Sequence, residues 1–120
     1  MRNALLISLL VTGLAAGQAS AHARLLRATP KAGSTVAQPP KELRLFFSET
    51  IVPNASSATL TAAGGAKAPL GRLATDPKDP RVVVLPVAGK LSPGRYHVEW
   101  RMKTADTHTM DGDFFFSVKP

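Results

Sequence analysis

The sequence contains no cysteine. Disulfide bonds, thiolate zinc sites, blue-copper centres and cysteine nucleophiles are therefore excluded. A metal site in this chain has to be built from histidine, carboxylate or methionine side chains, or from a free terminal amine. Only three histidines and three methionines are available, so the candidate ligands are few.

The sequence also lacks an apolar run of the roughly 20 residues that a membrane-spanning helix needs. Its most apolar stretch, residues 5–16, follows Arg2 and precedes the small residues Ala19-Ser20-Ala21. A basic start, a short apolar segment and a small-x-small end are typical of a secretory signal peptide. We therefore predict a leader over residues 1–21, cleaved after Ala21, and an exported protein, most simply in a bacterial periplasm. The alternative is an uncleaved amino-terminal anchor.

Long basic runs are absent as well. The formal net charge is +7, but the lysines and arginines are spread along the chain without a run of about five or six. Nucleic-acid-binding proteins concentrate such charge in a patch or stripe, so no nucleic-acid partner is predicted. The charge would suit an anionic membrane surface and otherwise serves solubility. Residues 22–120 suffice for one small domain with a single core, and we predict a monomer.

What the chain does contain is a series of short apolar segments separated by Pro, Gly, Asn and Asp. No stretch keeps a helical period for long, and short strands with frequent turns favour an all-β sandwich or barrel. We predict about seven strands, over residues 22–28, 42–48, 58–62, 69–74, 81–87, 95–102 and 113–119.

Residues 95–102 show the clearest alternation of apolar and polar side chains. Tyr96, Trp100 and Met102 share the apolar face, which predicts a half-buried strand with these residues in the core. His97 falls on the polar face and is predicted to be a surface residue rather than a metal ligand. Cu(I) prefers soft thioether ligands. The chain has no methionine cluster, so a dedicated Cu(I) site is not expected.

The connection between the last two predicted strands, residues 103–112, contains Asp106-Thr107-His108. In an extended segment, residues i and i+2 point to the same side, so the Asp106 carboxylate and the His108 imidazole can converge on one ion. Such a triplet is also common in turns, where the aspartate caps backbone N–H groups and the histidine is merely exposed. Taken alone, the triplet leaves both interpretations open.

Cleavage after Ala21 would make His22 the first residue of the mature protein. Its α-amine, with an ordinary pKa of about 7.7–8.0, can release its proton to a metal near neutral pH. The amine and the imidazole Nδ1 belong to one residue and can close a small chelate ring, which suits the tetragonal N,O geometry of Cu(II). With Asp106 and His108, this residue would complete a site for one Cu(II) ion per chain.

Several motifs follow one another along residues 22–120. They are His22 after the cleavage site, Leu25, Thr29-Pro30 with Gly33-Ser34, Pro40-Lys41-Glu42-Leu43, Leu45-Phe46-Phe47-Ser48-Glu49, Leu91-Ser92-Pro93-Gly94-Arg95-Tyr96-His97-Val98-Glu99-Trp100-Arg101, and Thr104-Ala105-Asp106-Thr107-His108 through Gly112. In these motifs and their spacing, the chain resembles the CopC-type periplasmic copper-resistance proteins over essentially the whole mature domain.

The resemblance implies a Greek-key β-sandwich or barrel, cupredoxin-like or immunoglobulin-like. It implies Cu(II) bound by the amine and Nδ1 of His22 together with Asp106 and His108. It places Glu49 near the copper, as a weaker ligand or as a group that contacts the ligands only. The Cu(I) site of some members lies in a methionine-rich loop with a histidine. The corresponding residues 59–79 contain neither, which implies a Cu(II)-only member.

The favoured function is a periplasmic Cu(II)-binding protein, not an enzyme, that sequesters copper or delivers it to a CopD-type inner-membrane partner. Oxidative polysaccharide-cleaving enzymes also place an amino-terminal histidine and a second histidine around copper. A catalytic metal needs an open coordination position, however, and the Asp106 carboxylate would fill it. The chain is also short for a broad substrate face. A β-sandwich interaction module without metal is the remaining alternative.

Overall fold

The computed structural model describes residues 23–120. The predicted leader, its cleavage site and His22 lie outside the described residues, so those predictions stay predictions. The described chain is almost entirely β-structure, with one short 3₁₀ helix at Pro53–Ala55. Its strands are β1 (Leu25–Thr29), β2 (Thr35–Val36), β3 (Glu42–Phe47), β4 (Ser57–Ala62), β5 (Lys67–Ala68), β6 (Ala74–Asp76), β7 (Asp79–Pro86), β8 (Gly94–Lys103) and β9 (Thr109–Val118).

The strands form two sheets that enclose one core. One sheet has the order β1-β3-β7-β6, and the other has the order β2-β9-β8-β4-β5. Neighbouring strands are antiparallel except for β2, which pairs with β9 in parallel. The chain crosses repeatedly from one sheet to the other. The predicted fold class, an all-β sandwich, is confirmed. No helix among residues 23–120 is long and apolar enough to cross a membrane.

The core is built from the inward faces of β3, β7, β8 and β9. The Trp100 ring packs edge-on against Phe47, with ring centroids 5.0 Å apart. Tyr96 stacks on Phe116, and its hydroxyl donates a hydrogen bond of 2.6 Å to the Ser92 carbonyl. The prediction that the apolar face of residues 95–102 supplies core residues is thus confirmed, since Tyr96, Trp100 and Met102 are all buried.

Six of the seven predicted strands are present, with ends that shift by a few residues. The predicted strand over residues 69–74 is wrong, because this segment makes isolated contacts with the end of β7 and the residues after it instead of a ladder. Gly71 N–H donates to the Pro86 carbonyl at 2.7 Å, and the Pro69 carbonyl accepts from Ala88 N–H at 2.9 Å. The two-residue strands β2 and β5 are too short to leave an alternation pattern in the sequence.

The predicted connection over residues 103–112 is also too long. Strand β9 begins at Thr109, and its pairing with β8 continues unbroken to Lys103 opposite Thr109. The polar composition of residues 109–113 suggests a loop, yet these residues form the exposed start of a hairpin strand. The true connection is therefore the five-residue turn Thr104 to His108, which fixes the candidate ligands far more tightly than a long loop would.

Replacing Gly112 by alanine is expected to lower the free energy of unfolding by about 1–3 kcal/mol, the usual cost of overpacking. Gly112 pairs with Trp100 across β8 and β9, and a Cβ atom there would overlap the indole ring. Urea unfolding followed by Trp100 fluorescence measures the change. Gly89→Ala is the matched control, because a Cβ atom at Gly89 meets open space. Equal effects of the two substitutions would contradict the packing argument.

Candidate metal centre

The turn from Thr104 to His108 is closed by its own backbone. The Thr104 N–H donates to the His108 carbonyl at 2.8 Å, and the Thr107 N–H donates to the Thr104 carbonyl at 2.9 Å. Thr107 lies in the left-handed region, with φ 74°. Few non-glycine residues adopt this conformation, and here it reverses the chain so that the side chains of residues 106 and 108 lie on the same side of the turn.

Thr104 is the buried anchor of this turn, with 1% of its surface exposed. Its hydroxyl donates to Asp106 Oδ1 and accepts the His108 N–H at 3.1 Å. One side chain therefore holds both candidate ligands. Thr104 is not among the residues predicted from the sequence, although a signal is present. The apolar face of β8 continues past Met102 in steps of two residues and reaches Thr104 next.

The structure brings Asp106 and His108 together, with 3.2 Å between Asp106 Oδ2 and His108 Nδ1. Both side chains remain accessible, since 65% of the His108 side chain and 56% of the Asp106 side chain are exposed. The predicted geometry was different. We expected an extended segment that points residues i and i+2 the same way, and that part is wrong, because the two residues meet across a tight turn.

The Asp106 carboxylate is held in its ionised form. The hydrogen bond from the Thr104 hydroxyl is the main cause that lowers the pKa of Asp106 below its ordinary value, and the His108 imidazole lowers it further. An ionised carboxylate accepts hydrogen bonds or binds cations and does not donate. At neutral pH the turn therefore presents a negative oxygen ligand beside an imidazole.

Glu49 lies close to this end of the sandwich in the segment after β3, but it does not join the pair. Its side chain is exposed. The hydrogen bond from Arg81 to Asp79 is the main cause that raises the pKa of Arg81, and the charge of Glu49 is the least of the causes that raise it. The neighbouring Thr50 carbonyl accepts the Ala105 N–H at 2.9 Å, so the Glu49 segment touches the turn through backbone. Among residues 23–120, no three histidine or carboxylate side chains are grouped to hold a metal ion.

The start of the described chain lies against the same segment. The Arg24 N–H donates to Ser48 Oγ at 2.9 Å, and the Arg24 carbonyl accepts the Ser48 N–H at 3.0 Å. Ser48 is two residues from Thr50, which contacts the turn. The segment 48–50 thus links the backbone of Arg24 to the turn that carries Asp106 and His108.

His97 lies away from this turn, on the outer face of β8. Its ring stacks on Phe115 with centroids 4.2 Å apart, and its Nε2 is 2.7 Å from Asp113 Oδ2. One of its ring nitrogens is therefore already engaged by a carboxylate. Met102 is fully buried, while Met110 is partly buried against the core, so both methionines serve packing.

Comparison with known proteins gives consistent matches along the described chain. The CopC domain family matches residues 25–119. Copper resistance protein C of Pseudomonas syringae pv. tomato is 39% identical over 119 residues, covering 91% of this chain and 94% of that protein.

The fold is similar to solved structures of the same kind. CopC from Methylosinus trichosporium OB3b superposes with a TM-score of 0.76 at 30% identity, covering 82% of this chain and 95% of that chain. PcoC, a methionine-rich copper resistance protein from Escherichia coli, superposes with a TM-score of 0.74 at 32% identity, covering 82% and 99%.

Proposed function

The chain belongs to the CopC domain family, and we propose that it is a periplasmic carrier of copper that binds one Cu(II) ion through His22, Asp106 and His108. The names of its relatives as copper resistance proteins support copper as the cargo. The observation that carries the proposal is the contact of 3.2 Å between the Asp106 carboxylate and the His108 imidazole on an exposed turn.

The donors on the turn suit Cu(II). Carboxylate and imidazole are ligands that this ion accepts, and Cu(II) has the highest affinity among the first-row divalent ions. Asp106 Oδ1 accepts the hydrogen bond from the Thr104 hydroxyl, and Oδ2 lies 3.2 Å from His108 Nδ1. Each carboxylate oxygen has two lone pairs, so both keep one for a metal ion. A neutral His108 imidazole has one ring nitrogen with a free lone pair, which can bind copper beside an Asp106 oxygen.

His22 supplies the remaining nitrogens in this proposal, from its amine and its imidazole. The support is chain reach: His22 precedes Arg24 by two residues, and two residues span at most about 7 Å. Arg24 is hydrogen-bonded to Ser48, in the segment whose Thr50 contacts the turn at Ala105. A free terminal amine in this position would complete a site that the described residues only half provide. Glu49 then acts as a weaker ligand or contacts the ligands alone.

The proposed site is for Cu(II) and not for Cu(I). Soft thioether ligands select Cu(I), and the name of one structural relative describes it as methionine-rich. In this chain Met102 is fully buried in the core, and residues 59–79 contain no methionine and no histidine. Copper exchange between two sites of different oxidation state within one molecule is therefore not part of the proposal.

We further propose that the protein is a monomeric carrier rather than an enzyme. The candidate ligands lie on a turn at one end of the sandwich, more than half exposed, where a membrane partner of the CopD type could reach them. Ligand exchange with such a partner needs accessible donor atoms, whereas a catalytic copper needs a coordination position kept open for a reactant. Three protein nitrogens and a carboxylate would leave no such equatorial position.

Mass spectrometry of the exported protein during a Cu(II) titration tests the proposal. We expect a mature chain that begins at His22 and saturates with one copper per chain. Zn(II) under the same conditions is expected to bind more weakly, following the general affinity order of divalent ions. A different mature terminus with undiminished copper binding would contradict the role of His22. A chain that takes up no Cu(II) would contradict the function itself.

A further inference from the structure

The end of the sandwich opposite the metal turn carries exposed lysines without acidic partners, and three of them line two adjoining grooves. Lys41 precedes β3, Lys90 lies in the connection from β7 to β8, and Lys67 begins β5. All three are exposed. None of the ion pairs among residues 23–120 involves them. We call Lys41, Lys67 and Lys90 the lysine face.

The lysine face is continuous because Lys90 lies between the other two. Lys41 and Lys90 line a groove of about 460 Å³ together with Pro39 and Pro40. Lys67 and Lys90 line an adjoining groove with Leu91 and Val87. The surface between the charges is thus largely apolar. Lysine side chains can lie along such a surface with their stems while the ammonium groups reach outward.

Carboxylates concentrate elsewhere on the molecule. Asp79 and Asp106 lie at the metal end, and Glu99 and Asp113 lie midway along the five-stranded sheet. Glu42 is the acidic residue nearest in sequence to the lysine face, and it is held by Arg44 at 2.7 Å. The basic residues at the metal end therefore lie among carboxylates, whereas the positive charge of the lysine face has no carboxylate partner among residues 23–120.

We propose that the lysine face docks the protein on an anionic phospholipid bilayer, with the metal turn directed away from the lipid and open to the part of a membrane partner that extends above the bilayer. The composition of the face favours a lipid surface over a protein partner. Protein hot spots are enriched in Trp, Tyr and Arg, and the face has neither Trp nor Arg, while its Tyr96 is buried. Lysines act as point charges, which suits a diffuse anionic surface.

The first test measures partition of the metal-free mature protein onto phosphatidylglycerol–phosphatidylcholine vesicles and onto phosphatidylcholine vesicles at low salt. Binding is expected only with the anionic lipid and is expected to fall as salt rises. The triple variant Lys41→Gln, Lys67→Gln, Lys90→Gln should bind about a hundredfold more weakly, from about fivefold per lysine near a charged surface. Because copper is absent, this result does not depend on the proposed function.

The matched control removes the same charge at the metal end, in the triple variant Lys78→Gln, Arg101→Gln, Lys103→Gln. Its partition should fall less than about threefold, because these residues face away from the bilayer in the proposed orientation. Equal losses in the two triple variants would show that only net charge matters and would overturn the proposal. No preference of the wild-type protein for the anionic vesicles would also overturn the proposal. It would favour an acidic protein segment as the partner of the lysine face.

Orientation can be read from single labels, since the chain has no other cysteine. An environment-sensitive fluorophore at Gly89→Cys sits on the lysine face, where an added side chain meets open space. The same fluorophore at Asn54→Cys lies in the exposed 3₁₀ helix at the metal end. Anionic vesicles should shift the emission of the first label and not the second. A shift of the second label alone would reverse the proposed orientation and overturn it.

Discussion

Blocking the α-amine of His22 is expected to weaken Cu(II) binding by at least about a hundredfold. Removing a group that only orients a ligand commonly costs about 10- to 100-fold in metal affinity, and loss of a direct ligand costs more. Acetylation turns the amine into an amide, whose nitrogen lone pair is delocalised into the carbonyl group and is not available to a metal near neutral pH. The imidazole of His22 would remain, but without the second nitrogen of its chelate ring.

The measurement is a competition titration against a chelator of known affinity, on the mature protein with a free and with an acetylated His22. Lysine side chains must stay unmodified. Electron paramagnetic resonance of the Cu(II) complex should show a changed nitrogen coupling when the amine is lost. The matched control is the same acetylation on the His22→Ala variant, where we expect a much smaller effect because the chelate is already gone.

A leader that is not cleaved would block the same α-amine of His22. In the chain with residues 1–21 still attached, the His22 nitrogen is part of a peptide bond and cannot act as an amine. Export and metal competence would then be a single event, because cleavage creates the ligand. Undiminished Cu(II) affinity in either the acetylated protein or the uncleaved chain would contradict the chelate proposal while leaving the fold and the turn geometry untouched.

Much of the fold could be predicted because strand alternation is a local property. The period of two in residues 95–102 predicts one buried face, and Tyr96, Trp100 and Met102 are buried there. The segment over residues 69–74 could not be assigned correctly, because it contacts the end of β7 and the residues after it through isolated backbone hydrogen bonds. Whether such a segment pairs along its length depends on tertiary contacts and not on its own composition.

Of the predicted site residues, the closeness of Asp106 and His108 could be predicted, but the geometry of their contact could not. Asp106 and His108 stand out by chemistry, and the structure brings them within 3.2 Å. Asp106 and His108 meet because Thr107 adopts a left-handed conformation and because the buried hydroxyl of Thr104 contacts both residues. Both features depend on the turn conformation and on burial, which a D-x-H spacing does not encode. Glu49 owes its place near this end to the path of the chain after β3.

Replacing His108 by alanine is the second large test, and its expected result is a loss of Cu(II) affinity on the order of a hundredfold. The substitution removes an exposed imidazole while the His108 backbone can keep its hydrogen bonds to Thr104. The turn should therefore stay closed, and the midpoint of urea unfolding should change little. A loss of Cu(II) affinity without a loss of stability indicates a lost ligand, whereas a loss of both indicates a disordered turn.

His97→Ala is the matched control, because it removes the same ring from the outer face of β8. His97 has its own carboxylate contact, at 2.7 Å from Asp113 Oδ2, as His108 has Asp106. A histidine beside a carboxylate is thus present twice in the described chain, and only the pair on the turn lies beside the segment that contacts Arg24.

If affinity falls equally in the two variants, proximity of a carboxylate to an imidazole would be enough to bind copper, and the proposed assembly of the turn with the amino terminus would be wrong. If affinity falls only in His108→Ala, the position of the turn near the mature terminus, rather than its residue types alone, makes it the copper site.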